Sequence, residues 1–445
     1  MTTRINTYPE ALQWLFQRNQ FSIKLGLKKI QTLLNRLGNP EKNGVYLHVA
    51  GTNGKGSVCA NLGAMLPTLG YQRIGLYTSP HLVSFRERIR IDGEAVSTTW
   101  VTNWLQKHLD LLEELDATYF ECATAMALVY FQENECGAVV LETGLGGRLD
   151  ATNAVTPRIS VITSISLDHM AHLGNSLESI MGEKLGILKP RIPAIIDEGR
   201  SDLAQLAEHT AEALGVPLAN LAHRWKEFGQ NFQVHGAFGT YLIPSSLRTE
   251  DYQKRNVGLS ILALETFYGK KLPPEETWIQ QLRSSKFPGR TQWLESEDLI
   301  PLLLDGAHNS EGVEALCRNL QEQNRGLPRI FFAMMKDKEV GFAYQTLRTM
   351  SLDIHYLDLH AIYPRALTFS ELSETLAPQE KLGLNPAPMT WEALAPLLRK
   401  GSGADFGVIC GSLYLLGELI PILHPHYRGL EAFAKLLAEE KPILS

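Results

Sequence analysis

The sequence contains little cysteine and none of the paired spacings that mark a zinc ribbon or a disulfide framework. Its cysteines stand far apart, no C-x-x-C pair occurs, and their odd number excludes complete pairing. This usage is typical of reduced thiols in the cytosol, so we expect a cytoplasmic protein without structural disulfides. The cysteines are Cys59, Cys122, Cys136, Cys317 and Cys410.

Long apolar runs and an excess of one charge are also missing. No apolar stretch approaches the roughly 18 residues that span a bilayer. The start, MTTRINTYPE, lacks the apolar core of a secretory signal. The formal net charge is −6, so no basic excess exists to attract nucleic acid or an anionic membrane. We therefore expect neither as a partner.

The 445 residues instead show short apolar runs that alternate with helical periodicity. This alternation predicts a mostly parallel sheet with helices on both faces, and the length suggests two domains. We place the domain boundary in the stretch SSKFPGR at 284–290, giving domains 1–286 and 287–445. The stretch 222–245 predicts only short strands or loops. The predicted strands are 45–50, 74–77, 138–141 and 159–165, then 301–304, 330–333 and 406–410.

A glycine-rich loop, GTNGKGS at 51–57, follows the first predicted strand and opens a helix. Main-chain N–H groups in this position can hold phosphate oxygens, Lys55 can reach the outer phosphates, and the Ser57 hydroxyl can approach Mg²⁺. The usual spacing is not met, because Gly56 stands beside the lysine. The alternative is a plain glycine turn, but the strand-to-helix context favours a mononucleotide-binding loop.

Polar residues follow three further predicted strands. Glu142 ends the strand AVVLE and is a candidate Mg²⁺ ligand, although it could be a surface acid. Asp168-His169 follows the next strand, and a lone histidine is more often structural. Asp305 and His308, in LLLDGAHN, are open to either interpretation. Since the carboxyl ends of parallel strands meet at one sheet edge, we expect the segments of the first domain to converge there.

Other residues carry weaker signals. Leu149 stands where the third glycine or alanine of a dinucleotide fingerprint belongs, so GLGG at 144–147 does not predict a nicotinamide site. Lys184 has no feature that separates it from a solvated helical lysine. Arg290 either folds over a phosphate or is an ordinary surface arginine.

Several motifs occur in order along both predicted domains: GTNGKGS, TSPHL, YFECAT, LETGLGGRLDATN, LDHMAHLG, EKLGI, FPGR and DGAHN. Together they resemble the folylpolyglutamate synthase/dihydrofolate synthase family, the folate branch of the Mur ligase superfamily. The resemblance implies a P-loop mononucleotide-binding domain with a mostly parallel sheet and a smaller, Rossmann-like α/β domain. It also implies an ATP-dependent amide ligase that adds L-glutamate to dihydropteroate, to a reduced folate, or to both.

The resemblance also assigns residues. It implies two Mg²⁺ ions and a carbamylated Lys184, with catalytic roles for Lys55, His169 and Lys184. The implied metal ligands are Ser79, Glu142, His169 and Lys184. The implied ATP contacts are Gly54, Lys55, Gly56, Ser57, Asn256, Arg290 and Asp305. The implied acceptor contacts are Gly26, Phe120, Glu121, Leu149, Asp150 and Ala151, while His308 and Ser412 would lie at the nucleotide or glutamate end.

Relatives with this architecture imply a monomer that binds only small molecules. Two other functions stay open at this point. One is a ligase of the same chemistry whose acceptor is a cell-wall nucleotide peptide. The other is a nucleotide-gated binding module that uses the loop without a second substrate.

Overall fold

The computed structural model of the protein describes residues 4–18, 26–247, 250–284 and 288–439. Contacts group the chain into two compact units: residues 1–80 with 85–286, and residues 81–84 with 287–445. The segment 81–84 therefore belongs to the second unit although the first unit surrounds it in sequence. The predicted linker lies partly outside the described residues, because 285–287 are not among them.

The first unit is built on an eight-stranded sheet. Its strands are β1 (Tyr46–Ala50), β2 (Ile74–Tyr77), β3 (Ile89–Ile91), β4 (Glu94–Ala95), β5 (Ala138–Glu142), β6 (Ile159–Ile162), β7 (Ala194–Ile196) and β8 (Leu218–Asn220). Their order is β4-β3-β2-β5-β1-β6-β7-β8. Six of them, β2-β5-β1-β6-β7-β8, run parallel, while β3 and β4 pair antiparallel at one edge. The fully buried β1, β5, β6 and β7 fit a sheet covered on both faces.

Helices cover both faces of this sheet. In the described part of the first unit they are α1 (Tyr8–Gln17), α2 (Lys28–Arg36), α3 (Lys55–Met65), α4 (Thr98–Glu114), α5 (Tyr119–Glu133), α6 (Met170–Leu173), α7 (Leu177–Leu185), α8 (Ser201–Leu214), α9 (Asp251–Tyr268) and α10 (Glu275–Ser284). Apolar side chains of α1, α2, α4 and α5 form one core cluster, and those of α3, α9 and α10 form another. The predicted mostly parallel α/β sheet is confirmed.

The stretch that predicted only short strands or loops forms a small antiparallel sheet. Its strands are β9 (Trp225–Phe228), β10 (Asn231–His235) and β11 (Thr240–Ile243). Val234, Tyr241 and Ile243 pack into the same core cluster as α9. The buried Glu265 of α9 accepts hydrogen bonds from the main chain of Ala237 and Phe238. The small sheet is therefore fixed to α9 by both apolar packing and hydrogen bonds.

The second unit is a smaller α/β layer structure. Its strands are β12 (Gln292–Leu294), β13 (Leu302–Leu304), β14 (Pro328–Phe332), β15 (Ile354–Leu357), β16 (Leu384–Ala387) and β17 (Phe406–Cys410), in the order β12-β13-β17-β14-β15-β16. Only β12 pairs antiparallel among these strands. Its described helices are α11 (Ser310–Gln323), α12 (Val340–Arg348), α13 (Phe369–Thr375), α14 (Trp391–Leu398), α15 (Leu413–Leu423) and α16 (Glu431–Glu439).

The segment 81–84 packs against the core of this second unit. Leu82 and Val83 lie against its apolar cluster together with α15. A Cβ atom added at Gly417 of α15 would come within 2.2 Å of the Leu82 carbonyl oxygen, so the approach is close enough to require glycine.

Candidate active site

The glycine-rich loop connects β1 to α3 in the first unit. Gly54 adopts a left-handed conformation (φ 85°) immediately before Lys55, the first residue of α3. A Cβ atom at Gly51 would lie 1.7 Å from the Thr163 hydroxyl, and one at Gly54 would lie 2.6 Å from Asn256 Oδ1. The glycines therefore let neighbouring side chains approach the loop closely. The loop opens a helix whose N-terminal N–H groups can bind an anion.

The resemblance assigned an ATP contact to Asn256 from the second domain or the linker, but Asn256 lies on α9 of the first unit. The proximity of its Oδ1 atom to Gly54 places it directly beside the glycine loop. The side chain of Asn256 is buried, and so is Ser57 in the first turn of α3. The structure thus brings together Gly54, Lys55, Ser57 and Asn256, which lie about 200 residues apart in sequence at the extremes.

The loops after β1, β2, β5 and β6 share one edge of the sheet, because these strands are adjacent and parallel. The main-chain N–H of Ser79, after β2, donates to Glu142 Oε2 at the end of β5 (2.9 Å). Two of the predicted metal ligands are thereby in direct contact. The convergence expected from the strand ends is present in the sheet order.

His169 follows β6 and stands in a left-handed conformation (φ 50°), which is uncommon for a residue with a side chain. Its main-chain N–H donates to Asp168 Oδ1 (2.8 Å). The preceding loop is tied to the glycine loop: Thr52 Oγ1 donates to the Ser166 carbonyl and accepts from its N–H, both at 3.1 Å. Hydrogen bonds therefore hold the loop that carries His169 against the glycine-rich loop.

Lys184 lies in the last turn of α7 and is only 3% exposed. Its ammonium group donates to the Gly51 carbonyl (2.8 Å), the same oxygen that accepts from Lys55 Nζ (3.1 Å). The pKa of Lys184 is lowered to about 7 by burial and by the charge of Lys55, against the raising effect of Asp168. A lysine that the sequence could not distinguish is therefore buried against the phosphate loop.

The predicted acceptor residues have well-defined structural partners. Gly26 precedes α2, which packs beside α5. The half-buried ring of Phe120 faces Gly144, where an added Cβ atom would come within 2.5 Å of it. Glu121 completes the capping box of α5, because its Oε2 atom accepts from the N–H and hydroxyl of Thr118 (2.8 and 2.9 Å). The Thr118-x-x-Glu121 signature of that cap is readable in the sequence.

Asp150 is buried, and its carboxylate accepts four hydrogen bonds. Oδ2 accepts from the N–H groups of Gly144 and Leu145, and Oδ1 accepts from the N–H and hydroxyl of Thr152, at 2.6–2.9 Å. These bonds fix the main chain on both sides of Leu149 and Ala151. Any pterin N–H group would have to share acceptor positions that the loop already uses.

His48 on β1 extends this network into the core. The Thr152 hydroxyl donates its proton to Asp150, so it accepts from His48 Nε2–H (2.8 Å), which fixes the imidazole tautomer. Burial lowers the pKa of His48 to about 3, so the ring is neutral. Sequence reasoning missed His48 because nothing local marks a strand histidine as the partner of a residue 104 positions away.

The predicted residues of the second unit also cluster. Asp305 follows β13 and accepts from the Thr291 N–H and hydroxyl and from the Ala307 N–H. Arg290 Nη1 and His308 Nδ1 both donate to the Gly306 carbonyl, at 3.1 and 2.8 Å. Ser412 follows the adjacent β17 and caps α15. Within the second unit, these four residues lie on loops next to one another.

Among the residues that the structure describes, no cluster of three or more histidine, cysteine, aspartate or glutamate side chains is arranged to hold a metal ion by itself. The ligand set implied by the resemblance has the Ser79 hydroxyl, the Glu142 carboxylate, the His169 imidazole and the Lys184 side chain. The hydroxyl and carboxylate oxygens suit Mg²⁺, which takes oxygen ligands and completes its shell with water and substrate phosphates, whereas imidazole is a more usual ligand of transition metals. No described helix is both long enough and apolar enough to cross a membrane.

The fold and the site define a class of protein, the Mur-type ATP-dependent ligases: residues 49–225 match the Mur ligase middle domain. The chain is 33% identical to the dihydrofolate synthase/folylpolyglutamate synthase of Bacillus subtilis, over 93% of this chain and 98% of that protein. It therefore belongs to the dihydrofolate synthase/folylpolyglutamate synthase family.

Solved structures of the family agree with this assignment. The bifunctional folylpolyglutamate synthase/dihydrofolate synthase of Yersinia pestis complexed with AMPPNP and Mn ion is 29% identical, with a TM-score of 0.82 over 95% of this chain and all of that chain. A bifunctional synthase with Mn, AMPPNP and L-glutamate bound is 28% identical, with a TM-score of 0.80 and the same coverage. The two-domain Mur ligase fold is thereby confirmed.

Proposed function

We propose that the protein is an ATP-dependent ligase that joins L-glutamate to dihydropteroate and to reduced folates, and so acts as both dihydrofolate synthase and folylpolyglutamate synthase. The main support is the arrangement at one edge of the sheet. Lys55 and Lys184 both bond to the glycine-rich loop there, and Ser79 contacts Glu142 at the end of the neighbouring strand. The names of the related proteins supply the substrates. L-glutamate is bound in one related structure.

The proposed reaction has two steps. An oxygen of the acceptor carboxylate attacks the γ-phosphorus of ATP, the bond to the β–γ bridging oxygen breaks, and ADP leaves. The glutamate amino nitrogen then attacks the acyl carbon, the bond to phosphate breaks, and a proton from the amine is released. Phosphorylation is needed because oxide is a very poor leaving group, whereas phosphate is a good one.

The protein contributes mainly by positioning and by charge. The N–H groups at the start of α3 and the ammonium of Lys55 would bind the triphosphate once Lys55 leaves the Gly51 and Thr52 carbonyls. Asn256 would contact the nucleotide beside Gly54. We propose that the second unit supplies Arg290, Asp305, His308 and Ser412 to the nucleotide and glutamate, with the domain boundary at 286/287.

We propose that Ser79, Glu142 and His169 hold Mg²⁺ and that a second ion is supported by Lys184. When bound, magnesium neutralises charge on the phosphoryl oxygens. Lys184 can support a magnesium ion only if its ammonium group is converted to a negatively charged group. Its lowered pKa leaves a substantial fraction as the neutral amine near pH 7. That nitrogen can attack CO₂ and lose a proton to give a carbamate.

We propose that Gly26, Phe120, Glu121 and Leu149–Ala151 bind the acceptor. Phe120 offers an aromatic face, while Glu121 and Asp150 hold the main chain around it. We propose that the protein acts as a monomer in the cytoplasm, in keeping with the architecture of its relatives and with its scattered, unpaired cysteines.

The test is a steady-state assay on the full chain. ADP release should require ATP, Mg²⁺, L-glutamate and an acceptor together, and product mass should show added glutamate with dihydropteroate and with tetrahydrofolate. ATP turnover that is equally fast without glutamate would contradict the ligase. Activity with only one of the two acceptors would contradict the proposal that the protein has both synthase activities.

A further inference from the structure

The segment between β5 and β6 lies along the C-terminal end of α7, the helix that carries Lys184. A Cβ atom at Gly147 would lie 2.8 Å from the Glu183 carbonyl oxygen and 3.1 Å from Lys184 Cα. A Cβ atom at Gly186 would lie 2.2 Å from Arg148 Cβ. The two main chains are therefore in contact at glycine on both sides.

Asn153 is the residue that joins these two chains by its side chain. Its Nδ2 group donates to the Arg148 carbonyl (2.9 Å) and to the Gly186 carbonyl (3.0 Å). The side chain is 4% exposed, and its Oδ1 atom has no hydrogen-bond partner within the described residues. One buried amide thus bridges the residue before Leu149 and the residue two positions after Lys184.

Further contacts reinforce the junction. The Arg148 N–H donates to the Glu183 carbonyl (2.7 Å), and the Arg148 guanidinium pairs with the Glu183 carboxylate (2.7 Å). Lys189 Nζ donates to the Asn153 carbonyl (3.0 Å). The side chain of Arg148 is 56% exposed, so this ion pair contributes less than the buried amide.

The segment between β5 and β6 is also held on its other side, by hydrogen bonds among the residues proposed to bind the acceptor and to β1. Asp150 binds Gly144 and Leu145, and Thr152 links Asp150 to His48 on β1. Leu149–Ala151 is consequently held at two places, by the contact with His48 on β1 and by the Asn153 contact at the end of α7. A shift of α7 relative to the acceptor loop would have to break the Asn153 bridge.

We propose that Asn153 is a positioning residue that sets the distance between the acceptor carboxylate and the phosphoryl group held near Lys184. Its side-chain amide bonds to the main chain on each side, and the proposed effect is exerted through these contacts. This inference rests on the proposed function. Loss of the bridge is expected to slow the chemical steps, because an error of about 1 Å in the placement of reacting groups costs roughly a hundredfold in rate.

The test compares Asn153→Ala with Asn220→Ala in the full-length protein. Asn220 is a matched control: it is also buried and bridges two loops of the first unit, through Glu198 and Ala222. The measurements are kcat for glutamate-dependent ADP release, the Kd of AMPPNP with Mg²⁺ by calorimetry, and Tm. Asn153→Ser serves as the second variant if the alanine variant does not fold.

Asn153→Ala is expected to lower kcat by about ten- to a hundredfold, with the Kd of AMPPNP within about threefold of wild type. Asn220→Ala should lower Tm by a similar amount and leave kcat within about twofold. Wild-type kcat in Asn153→Ala overturns the proposal. So does a loss of kcat that merely follows the folded fraction, or failure of both Asn153 variants to fold.

These outcomes are distinct from failure of the proposed function. If the wild-type chain itself shows no glutamate-dependent turnover, the ligase and the positioning role both fall. If wild type is active and Asn153→Ala equals it, only the positioning role falls.

Discussion

Lys55 and Lys184 donate to one acceptor, the carbonyl oxygen of Gly51, at 3.1 Å and 2.8 Å. Two like charges at one oxygen oppose each other, and Lys184 is the more deeply buried of the two. The lowered pKa of Lys184 follows mainly from that burial. The geometry of the loop thus places Lys184 where loss of its charge is favoured.

Stability should depend on pH through Lys184. Its pKa is about 7 in the folded protein and 10.5 for a free lysine side chain, so the unfolded state holds more protons between these values. Stability therefore rises as pH increases through this window and is lowest below pH 7. Lys184→Met removes the cost of the buried charge, which is on the order of 5 kcal/mol below pH 7.

Thermal melts in CO₂-free buffer should show Lys184→Met more stable than wild type at pH 6, with the difference shrinking towards pH 9. Lys226→Met, at an exposed position on β9, is the matched control and should show no such trend. A Tm difference that stays constant with pH would contradict the assignment of the shift to Lys184.

Lys55→Ala should abolish turnover and leave the fold intact. The side chain bonds only to the Gly51 and Thr52 carbonyls in the described contacts, and the Gly51 carbonyl keeps its hydrogen bond from Lys184 after the substitution. ADP release and AMPPNP affinity should both fall, by about a hundredfold or more for the rate. Lys226→Ala should keep wild-type values, and retained turnover in Lys55→Ala would refute the phosphate role.

Glu142→Gln should weaken the magnesium dependence specifically. The substitution keeps the shape and one acceptor oxygen for the Ser79 N–H but removes the negative charge that a divalent ion requires. The Mg²⁺ concentration for half-maximal rate should rise by roughly tenfold or more, while Tm changes little. An unchanged magnesium titration would exclude Glu142 as a ligand.

Asp150→Asn should destabilise the first unit and weaken acceptor binding. The new amide cannot accept from both the Gly144 and Leu145 N–H groups and from Thr152, so at least one buried donor loses its partner, at a cost of about 1–3 kcal/mol. Urea unfolding should show the loss, and KM for the acceptor should rise more than KM for ATP.

The control for this substitution is Asp202→Asn, at an exposed position in the first turn of α8. It should leave both KM values unchanged and cost only a few tenths of a kcal/mol. Equal increases of KM for acceptor and ATP in Asp150→Asn would show a general loss of structure instead.

The sequence predicted most of the sheet because its strands are short apolar runs bounded by turn signals. The predicted strands at 74–77 and 406–410 match β2 and β17 residue for residue. The run at 159–165 was wrong at its end: β6 stops at Ile162, and the next residues turn to bond the glycine loop. Such a boundary depends on a partner far away in sequence.

The glycine loop carries its signal locally, so its phosphate-binding role could be predicted from the sequence and stays a prediction. Lys184 was not singled out from residue patterns, because its burial depends on how α7 packs against Gly51. Asn153 and His48 could not be singled out either, since Gly186, which Asn153 joins to Arg148, and Thr152, the partner of His48, lie 33 and 104 positions away. Glu121 differs from these residues, because the spacing Thr118-x-x-Glu121 is visible in the sequence. That spacing indicates a structural role in capping α5.

The packing of Leu82 against α15 has a consequence for how this gene could be cut or recombined. Because Leu82 and Val83 pack against the core of the second unit, a stop codon at the 284–290 linker would remove the residues that they contact there. Neither half is a portable module. A chimera with another family member should therefore exchange residues 81–84 together with residues 287–445, although the two segments are far apart in the gene.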